Sequence, residues 1–282
     1  MQASNNSVKK TDFLEIVKYI YIGISSLLVL FPVYFLVISS LKTDNDIFTN
    51  PFGFPQKIMW ENYGIVLFKY KLYLNLANSL YYSLISLALI VVVGVLASYA
   101  LTRMNWKFRK MAFALLMTGM LVPMHAVILP LYLSVRKMGI TSPRFILVAI
   151  FAVFAIPKSV FILSGFLKDM PRSVEEAAVI DGASIFQVLT RVVVPILRPA
   201  IATICIFDFL SIWNDLLIGL IFINKDVDKT IQLGIMKFKG DYVTIYNYVL
   251  AGILIAIIPT ITMYLFFQKQ IISGITAGAV KG

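Results

Sequence analysis

Two acidic side chains lie inside an apolar run in the last third of the chain, Ala200–Ile223, and they are well suited to chemistry within a membrane. Asp208, Ser211 and Asp215 are spaced i, i+3 and i+7, so a helix would place them on one face. An ionised Asp at mid-bilayer costs about 3 kcal/mol even on a lenient insertion scale. This face should therefore avoid lipid, and its acids could bind ions or protons, or contact a polar solute.

A second polar stripe follows helical spacing in an earlier apolar run. It comprises Asn75, Asn78, Ser79, Tyr82, Ser83 and Ser86. Such a stripe could line an aqueous path, or could join helices through hydrogen bonds of about 0.6 kcal/mol each. For the serines both interpretations stay open, whereas Asn78, Asn214 and Asp215 favour a path. Trp213 beside Asn214 also suits a polyol, whose CH faces stack on a ring while its hydroxyls bind polar groups. The predicted path residues are Asn75, Asn78, Ser79, Tyr82, Ser86, Ser211, Trp213, Asn214 and Asp215.

The sequence lacks the residues that most enzyme classes require. It has no Gly-rich phosphate loop, no cluster of metal ligands and no nucleophile paired with a base. Its single histidine, His125, lies between Pro123 and Pro130, where a core or kink residue is expected. Its single cysteine, Cys205, excludes an internal disulfide. We therefore predict no catalytic residues, no metal and no cofactor bound by this chain.

Composition places the chain in the membrane. Hydrophobic residues make up 60% and charged residues only 14%, against roughly 25% charged in soluble domains. The net charge of +11 is scattered over the loops, with no aromatic residues interleaved on a polar face. Membrane lipid with anionic headgroups is the expected partner of these charges, and nucleic acid is not.

The predicted fold is an all-α polytopic membrane protein with six transmembrane helices. One membrane domain is expected over residues 19–270, preceded by a cytoplasmic N-terminus at 1–18 and followed by a cytoplasmic tail at 271–282. Both termini then lie on one side, together with the loop at 165–199. The basic cluster at Arg103, Lys107, Arg109 and Lys110 favours the cytoplasm for that side. The spans are predicted at Tyr19–Leu41, Leu76–Leu101, Met111–Tyr132, Phe145–Ser164, Ala200–Ile223 and Tyr246–Phe267.

A polar island, Glu175–Pro195, separates two of these apolar segments. Val174–Ile180 is predicted to be a short helix that Gly182 ends or bends, since Gly is unfavourable inside a helix. An apolar face at helical spacing resumes at Ile185, and Pro195 closes the segment. The pattern predicts two short helices at a membrane surface.

This island resembles the EAA loop of ABC-importer permeases. The family pattern is Glu-Ala-Ala, three residues, Gly, nine residues, Ile, one residue and Leu-Pro. Val192 and Val194 replace the Ile and Leu of the pattern. In the family this loop docks on the ATP-hydrolysing subunit, which implies a coupling role for a set of residues here. They are Glu175, Glu176, Ala177, Ala178, Asp181, Gly182, Ala183 and Pro195.

Two further segments resemble the maltose-type carbohydrate branch of that family. Trp213-Asn214-Asp215 is similar to its Trp-Asn-acidic motif, and the C-terminal residues are similar to its Thr-Ala-Gly…Val-Lys-Gly tail through Thr276, Gly278 and Lys281. The resemblance also implies that the loop before the last span contacts a binding protein. In this chain that contact would use Lys237, Lys239 and Asp241.

The resemblance implies a type I importer permease with a five-helix core and an N-terminal helix. The chain would be the permease subunit of an ATP-driven carbohydrate importer in a bacterial cell membrane. Its implied partners are a second permease in a heterodimer, two cytoplasmic ATPase subunits that bind ATP and Mg, and an extracytoplasmic sugar-binding protein. Glu176 would orient the coupling helix or form its salt bridge.

Three alternatives remain open at this stage. One is an ion-coupled transporter or channel that uses Asp208 and Asp215. Another is an ABC permease for a non-sugar solute, and the last is a structural membrane scaffold. Asp208 could also lie near the cytoplasmic end of its span and cap or snorkel there.

Overall fold

The computed structural model describes residues 2–240 and 244–279, with side chains described for 15–240 and 244–269. Over these residues the chain is helical, without a strand, and Lys239 and Thr244 form one isolated antiparallel bridge. The all-α prediction is therefore confirmed. The helices are α1 Gln2–Ser40, α2 Asp44–Thr49, α3 Glu61–Gly64, α4 Leu72–Thr102, α5 Arg109–Thr118, α6 Met124–Lys137, α7 Pro143–Asp169, α8 Ser173–Ile180, α9 Ile185–Gln187, α10 Val194–Ile196, α11 Arg198–Trp213, α12 Leu217–Phe222, α13 Ile231–Met236 and α14 Tyr246–Ala279.

Four helical segments are long and apolar enough to cross a membrane by themselves. They are Glu15–Ser40 in α1, α4, α7, and Tyr246–Lys269 in α14. Two bent helix pairs raise the number of candidate spans to six if each pair crosses once. The structure thus supports four to six spans, and six stays a prediction.

The third predicted span, Met111–Tyr132, is wrong as a continuous helix. Arg109–Leu121 and Met124–Lys137 meet at a bend of 99°. Pro123 lies at this break with an extended ψ of 120°. A proline has no N–H to donate and disfavours helix in the residue before it, which is why an apolar run of adequate length breaks here.

The fifth predicted span, Ala200–Ile223, is also divided. The helix α11 ends at Trp213, and the chain resumes helix only at Leu217. Before it, Ile185–Ile196 and Arg198–Trp213 are bent by 72° at the Leu197 junction. The polar residues Asn214 and Asp215 therefore lie in a break and not on a continuous helix face.

The described residues form two compact units. The first comprises Met1–Lys71 and Ile235–Ile255, and the second comprises Leu72–Gly234 and Ala256–Gly282. In the first unit the buried Lys42 donates from Nζ to the Asn50 carbonyl at 2.6 Å. Asn62 donates to the carbonyls of Ser40 at 2.8 Å and Lys42 at 3.0 Å, and it accepts from Asn247 at 3.1 Å. These bonds hold the loop after α1 against the start of α14.

The second unit is organised around α4 and α7. Small residues allow these helices to approach closely: a Cβ on Gly94 would lie 3.4 Å from Leu163 Cδ1. Ser98 donates to the Gly94 carbonyl of its own helix at 2.5 Å and faces the Val160 carbonyl across the interface at 3.4 Å. Small residues at such contacts are the usual solution where no water is present to drive helix association. This pair forms the frame on which the polar sites lie.

Candidate coupling surface and intramembrane polar sites

The helix α8 ends in a Schellman motif centred on Gly182. Gly182 has φ +85°, a left-handed conformation that glycine adopts without strain. Its N–H donates to the Val179 carbonyl at 3.0 Å, and the Ala183 N–H donates to the Ala178 carbonyl at 2.9 Å. The predicted bend at Gly182 is thus confirmed.

The second short helix begins directly after this turn. Ser184 and Gln187 form a reciprocal capping box: the Ser184 N–H donates to Gln187 Oε1 at 2.8 Å, and the Gln187 N–H donates to Ser184 Oγ at 3.3 Å. From Val188 to Val193 the chain continues as a wider, π-helical turn. Two helix ends with complete local caps define a rigid corner.

This corner presents an apolar surface outward. Ala178 and Ala183 are half-buried and pack on the cluster formed by α4, α7 and α11, together with Val188 and Leu189. The side chains that point away are large and exposed: Val179 at 56%, Ile180 at 85%, Ile185 at 62% and Phe186 at 70%. We name these four residues the coupling surface.

An ion pair joins α8 to the end of α4. Arg103 Nε lies 2.6 Å from Glu175 Oε1, and the two side chains are only 8% and 12% exposed. Arg103 also donates from Nη2 to the Met170 carbonyl at 2.8 Å. The sequence placed Arg103 only within a basic cluster and did not indicate this pairing with Glu175. Glu176 is exposed, and its predicted role in orienting the coupling helix or forming a salt bridge stays a prediction.

The remaining predicted residues of the loop are more peripheral. Ala177 and Asp181 are exposed, and Asp181 is the C-cap of α8. Pro195 is half-buried in the short helix α10. The loop thus separates into inward residues that fix its position and outward residues that are available for contact.

The polar stripe of α4 binds the backbone of a loop in the same unit. Asn75 donates to the Lys229 carbonyl at 2.9 Å, and Asn78 donates to the Val227 carbonyl at 2.7 Å. Tyr82 donates to the Asp228 carbonyl at 3.0 Å, and Ser79 accepts from the Ile231 N–H at 2.8 Å. These four side chains form hydrogen bonds with backbone groups of the segment 227–231, which has no strand or long helix to pair them.

The last two residues of the stripe along α4 have a different environment. Ser83 and Ser86 are buried, and neither hydroxyl has a hydrogen-bond partner among the described residues. A role for Ser86 in the translocation path stays a prediction. The earlier residues of the stripe, by contrast, already anchor the segment 227–231.

An ion pair with a buried acid lies within the membrane-spanning part of the second unit. Lys158, near the middle of α7, places Nζ 2.5 Å from Asp208 Oδ1, and Ser159 donates to Asp208 Oδ2 at 3.0 Å. The Asp208 side chain is 1% exposed, whereas Lys158 is 39% exposed. The expectation that Asp208 caps or snorkels at the cytoplasmic end is therefore wrong. A lysine in an apolar helix requires a counter-charge, and that signal could have paired the two residues.

A polar cavity of about 450 Å³ adjoins this ion pair. It brings together Ser211, Asn214 and Asp215, as the sequence predicted, and adds Lys158 and Asp208. Asp215 also accepts from the Gly219 N–H at 3.1 Å and so caps α12. The lining therefore offers both hydrogen-bond donors and acceptors, which suits a hydroxyl-rich solute.

His125 is exposed, lies directly after the bend at Pro123 and lines this cavity, so of the two expected positions, core or kink, it has the kink position. Trp213 is outside the lining. It is 2% exposed, stacks on Phe209 with ring centroids 5.4 Å apart, and donates to the Ala256 carbonyl at 3.0 Å. Its predicted contact with a solute in this cavity finds no support, because the ring is enclosed by α11 and α14.

The predicted binding-protein contacts and tail are described only in part. Lys237 and Lys239 are exposed, while Asp241 lies outside the described residues. The helix α14 continues through Thr276 and Gly278 to Ala279, and Lys281 also lies outside the described residues. Among the side chains that the structure describes, no three His, Cys, Asp or Glu residues are grouped as a metal site.

Long apolar helices and broken helices beside a cavity are features that membrane transport proteins share. Comparison with known proteins agrees. Residues 90–275 match the family described as the binding-protein-dependent transport system inner membrane component. The chain belongs to this family.

Three similar proteins extend the match over almost the whole chain. The probable starch degradation products transport system permease protein of Thermoanaerobacterium thermosulfurigenes is 33% identical over 91% of this chain and 93% of its own. The melibiose/raffinose/stachyose import permease protein of Bacillus subtilis is 32% identical over 89% and 91%. A chain of a bacterial ABC transporter involved in alginate import superposes with a TM-score of 0.80 at 25% identity, covering 92% and 96%.

Proposed function

We propose that this chain is a permease subunit of an ATP-driven carbohydrate importer and that it couples to cytoplasmic ATPase subunits through the coupling surface. The curated relatives support a carbohydrate cargo, since they are named for starch products and for raffinose-type oligosaccharides. The observation that carries the coupling role is the exposed apolar corner at Val179, Ile180, Ile185 and Phe186. An exposed apolar patch held in rigid form is typical of a protein interface.

The rest of the proposal concerns assembly. A second permease completes the path as a heterodimer, two ATPase subunits bind ATP and Mg, and an extracytoplasmic sugar-binding protein delivers the cargo. Both termini lie in the cytoplasm of a bacterial cell. Glu176 is exposed beside the coupling surface and is available to pair with a cation on the ATPase.

The mechanism follows from how the corner is fixed. When ATP closes the ATPase pair, α8 and the capped turn move as one body. The Arg103–Glu175 ion pair carries this movement to α4, and the packing of α4 on α7 carries it to the polar cavity. The broken helices beside the cavity then change from inward-open to outward-open geometry.

Single-cysteine crosslinking tests the coupling role. Ile180→Cys in a Cys205→Ser background should crosslink to an ATPase subunit in membranes of the intact importer. Met138→Cys, also highly exposed at 71% but on the opposite predicted side, is the matched control. Crosslinks from position 138 but not from 180 would contradict both the docking site and the orientation.

A functional test uses two neighbouring exposed side chains. Phe186→Asp should abolish sugar uptake while the chain still reaches the membrane, because a charge replaces an apolar contact at the interface. Thr190→Asp, one turn later and also exposed, should retain uptake. Equal uptake in the two variants would argue against the coupling surface.

An ion-coupled transporter is the weaker alternative, because the two acids that it would use already have contacts within the chain. Asp208 is neutralised by Lys158, and Asp215 caps α12. The discriminating measurement is uptake after selective loss of ATP or of the proton gradient. Uptake that survives ATP depletion and collapses with the gradient would favour the alternative.

A further inference from the structure

An apolar groove of about 420 Å³ lies between α6 and α7. Its walls include Val127, Leu131, Phe145, Ala149 and Val153. One lining side chain, Ser134, is polar, and its hydroxyl already donates to the Pro130 carbonyl at 2.8 Å. The hydroxyl proton is therefore already engaged, and the almost wholly apolar lining suits a hydrocarbon.

A basic pocket of about 290 Å³ continues the groove at one end, since the two share Val135, Ile140 and Ile146. Its described lining contains Arg136 and Lys225 but no acidic side chain. Arg136 lies over the Tyr132 ring at 5.8 Å. The nearby Asp226 faces Lys229 instead, at 2.7 Å. Two cationic side chains thus line the pocket at the end of this apolar groove.

The dimensions fit one acyl chain in one leaflet. The α7 wall from Phe145 to Phe154 rises about 13 Å at 1.5 Å per residue, close to half of a hydrocarbon core about 30 Å thick. A cavity of about 150 Å³ holds benzene, which is roughly 25 Å³ per carbon. At that density, the groove's roughly 420 Å³ holds about 17 carbon atoms, the size of a fatty acyl chain.

We propose that this groove and pocket bind an anionic phospholipid, with one acyl chain between α6 and α7 and the phosphate between Arg136 and Lys225. Charge complementarity selects a lipid with net negative charge over a zwitterionic one. The two cations that line the adjoining pocket favour a phosphate-bearing occupant over the apolar face of a transmembrane helix. In the proposed topology the site lies in the outer leaflet. The inference depends on the membrane location of the chain and not on its cargo.

The first experiment asks what occupies the groove in native membranes. A photoreactive phenylalanine analogue replaces Ala149 in the full-length chain, expressed with its partners. Lipid adducts after illumination are the expected result. Adducts to a protein chain at position 149, including a second permease, would overturn the proposal.

The second experiment measures lipid selectivity by native mass spectrometry of the complex purified with phosphatidylglycerol and phosphatidylcholine in equal amounts. The wild type should retain phosphatidylglycerol preferentially. Arg136→Gln with Lys225→Gln should lower that preference about 30-fold, since each basic residue near the surface contributes about fivefold. Lys137→Gln removes an adjacent charge outside the pocket lining and should change the preference less than twofold. Equal retention of both lipids by the wild type, or equal effects of the pair and the control, would refute the site.

Discussion

The capped corner after α7 and the polar stripe of α4 were both apparent in the sequence, yet only the corner has the geometry that its residues predict. Gly182 adopts the left-handed turn between two short helices, hydrogen bonds between residues at most five positions apart close this turn, and the apolar side chains point outward. The stripe forms the expected helix face, but Asn75, Asn78 and Tyr82 hold a loop about 150 residues further along the chain.

The difference follows from the range of the interactions. A Schellman turn and a capping box are completed by residues within a few positions, so their spacing specifies their structure. A polar side chain on a buried helix face must find a partner, but its own sequence neighbourhood does not say which one. Each prediction below disturbs either a local interaction or one between residues distant in sequence.

The largest effect is expected at the Lys158–Asp208 ion pair. Lys158→Ala leaves a carboxylate that is 1% exposed without its counter-charge, and loss of one partner from a buried pair costs about 3–5 kcal/mol. Denaturant unfolding in detergent measures this loss, followed by the fluorescence of the buried Trp213 in a background where the exposed Trp60 and Trp106 are replaced by Phe. The variant carrying both Lys158→Met and Asp208→Leu should recover most of the stability. If the double variant is no more stable than Lys158→Ala, the pair has another role.

The Arg103–Glu175 pair should show the next largest effect. Glu175→Gln removes the negative charge of the ion pair that joins α8 to Arg103 at the end of α4, where both side chains are largely buried. We expect ATP hydrolysis in proteoliposomes to continue while sugar uptake per ATP falls. Glu176→Gln is the matched control because the Glu176 side chain is exposed, and this variant should keep the ion pair between Arg103 and Glu175. An unchanged ratio of uptake to hydrolysis in Glu175→Gln would argue against transmission through this pair.

Gly182 tests the local geometry of the corner. A β-branched residue at φ +85° is strained, and the left-handed region costs roughly 1–2 kcal/mol for residues with a Cβ. Gly182→Val should therefore lower uptake strongly, whereas Gly182→Asn should be tolerated better because Asn visits this region. Nothing lies within 4 Å of a Cβ built at this position, so steric overlap does not confuse the comparison. Identical uptake in the two variants would show that the turn does not require a left-handed residue.

The smallest effect is expected in the α4 stripe. Asn78→Leu removes its hydrogen bonds to the carbonyls of Val227 and Lys229 at a cost of about 1 kcal/mol, and these carbonyls can bind water instead. Protease sensitivity of the loop before α13 should increase while the unfolding midpoint moves little. Ser86→Ala is the control, since its hydroxyl has no partner among the described residues and its removal should not loosen the loop. Equal loosening by both variants would refute the anchoring role.

The sequence by itself determined the membrane class, the all-α fold, the approximate helical segments and the capped corner. These depend on composition, hydropathy over about 20 residues and turn residues at fixed spacing, all of which act locally. The tertiary structure alone decided that Glu175 and not Glu176 pairs with Arg103, that Lys158 neutralises Asp208, and that Trp213 is enclosed. It also decided that the apolar run from Ala200 breaks after Trp213, where no proline marks the break. Each of these outcomes joins residues distant in sequence or depends on how helices pack, and one-dimensional spacing does not contain that information.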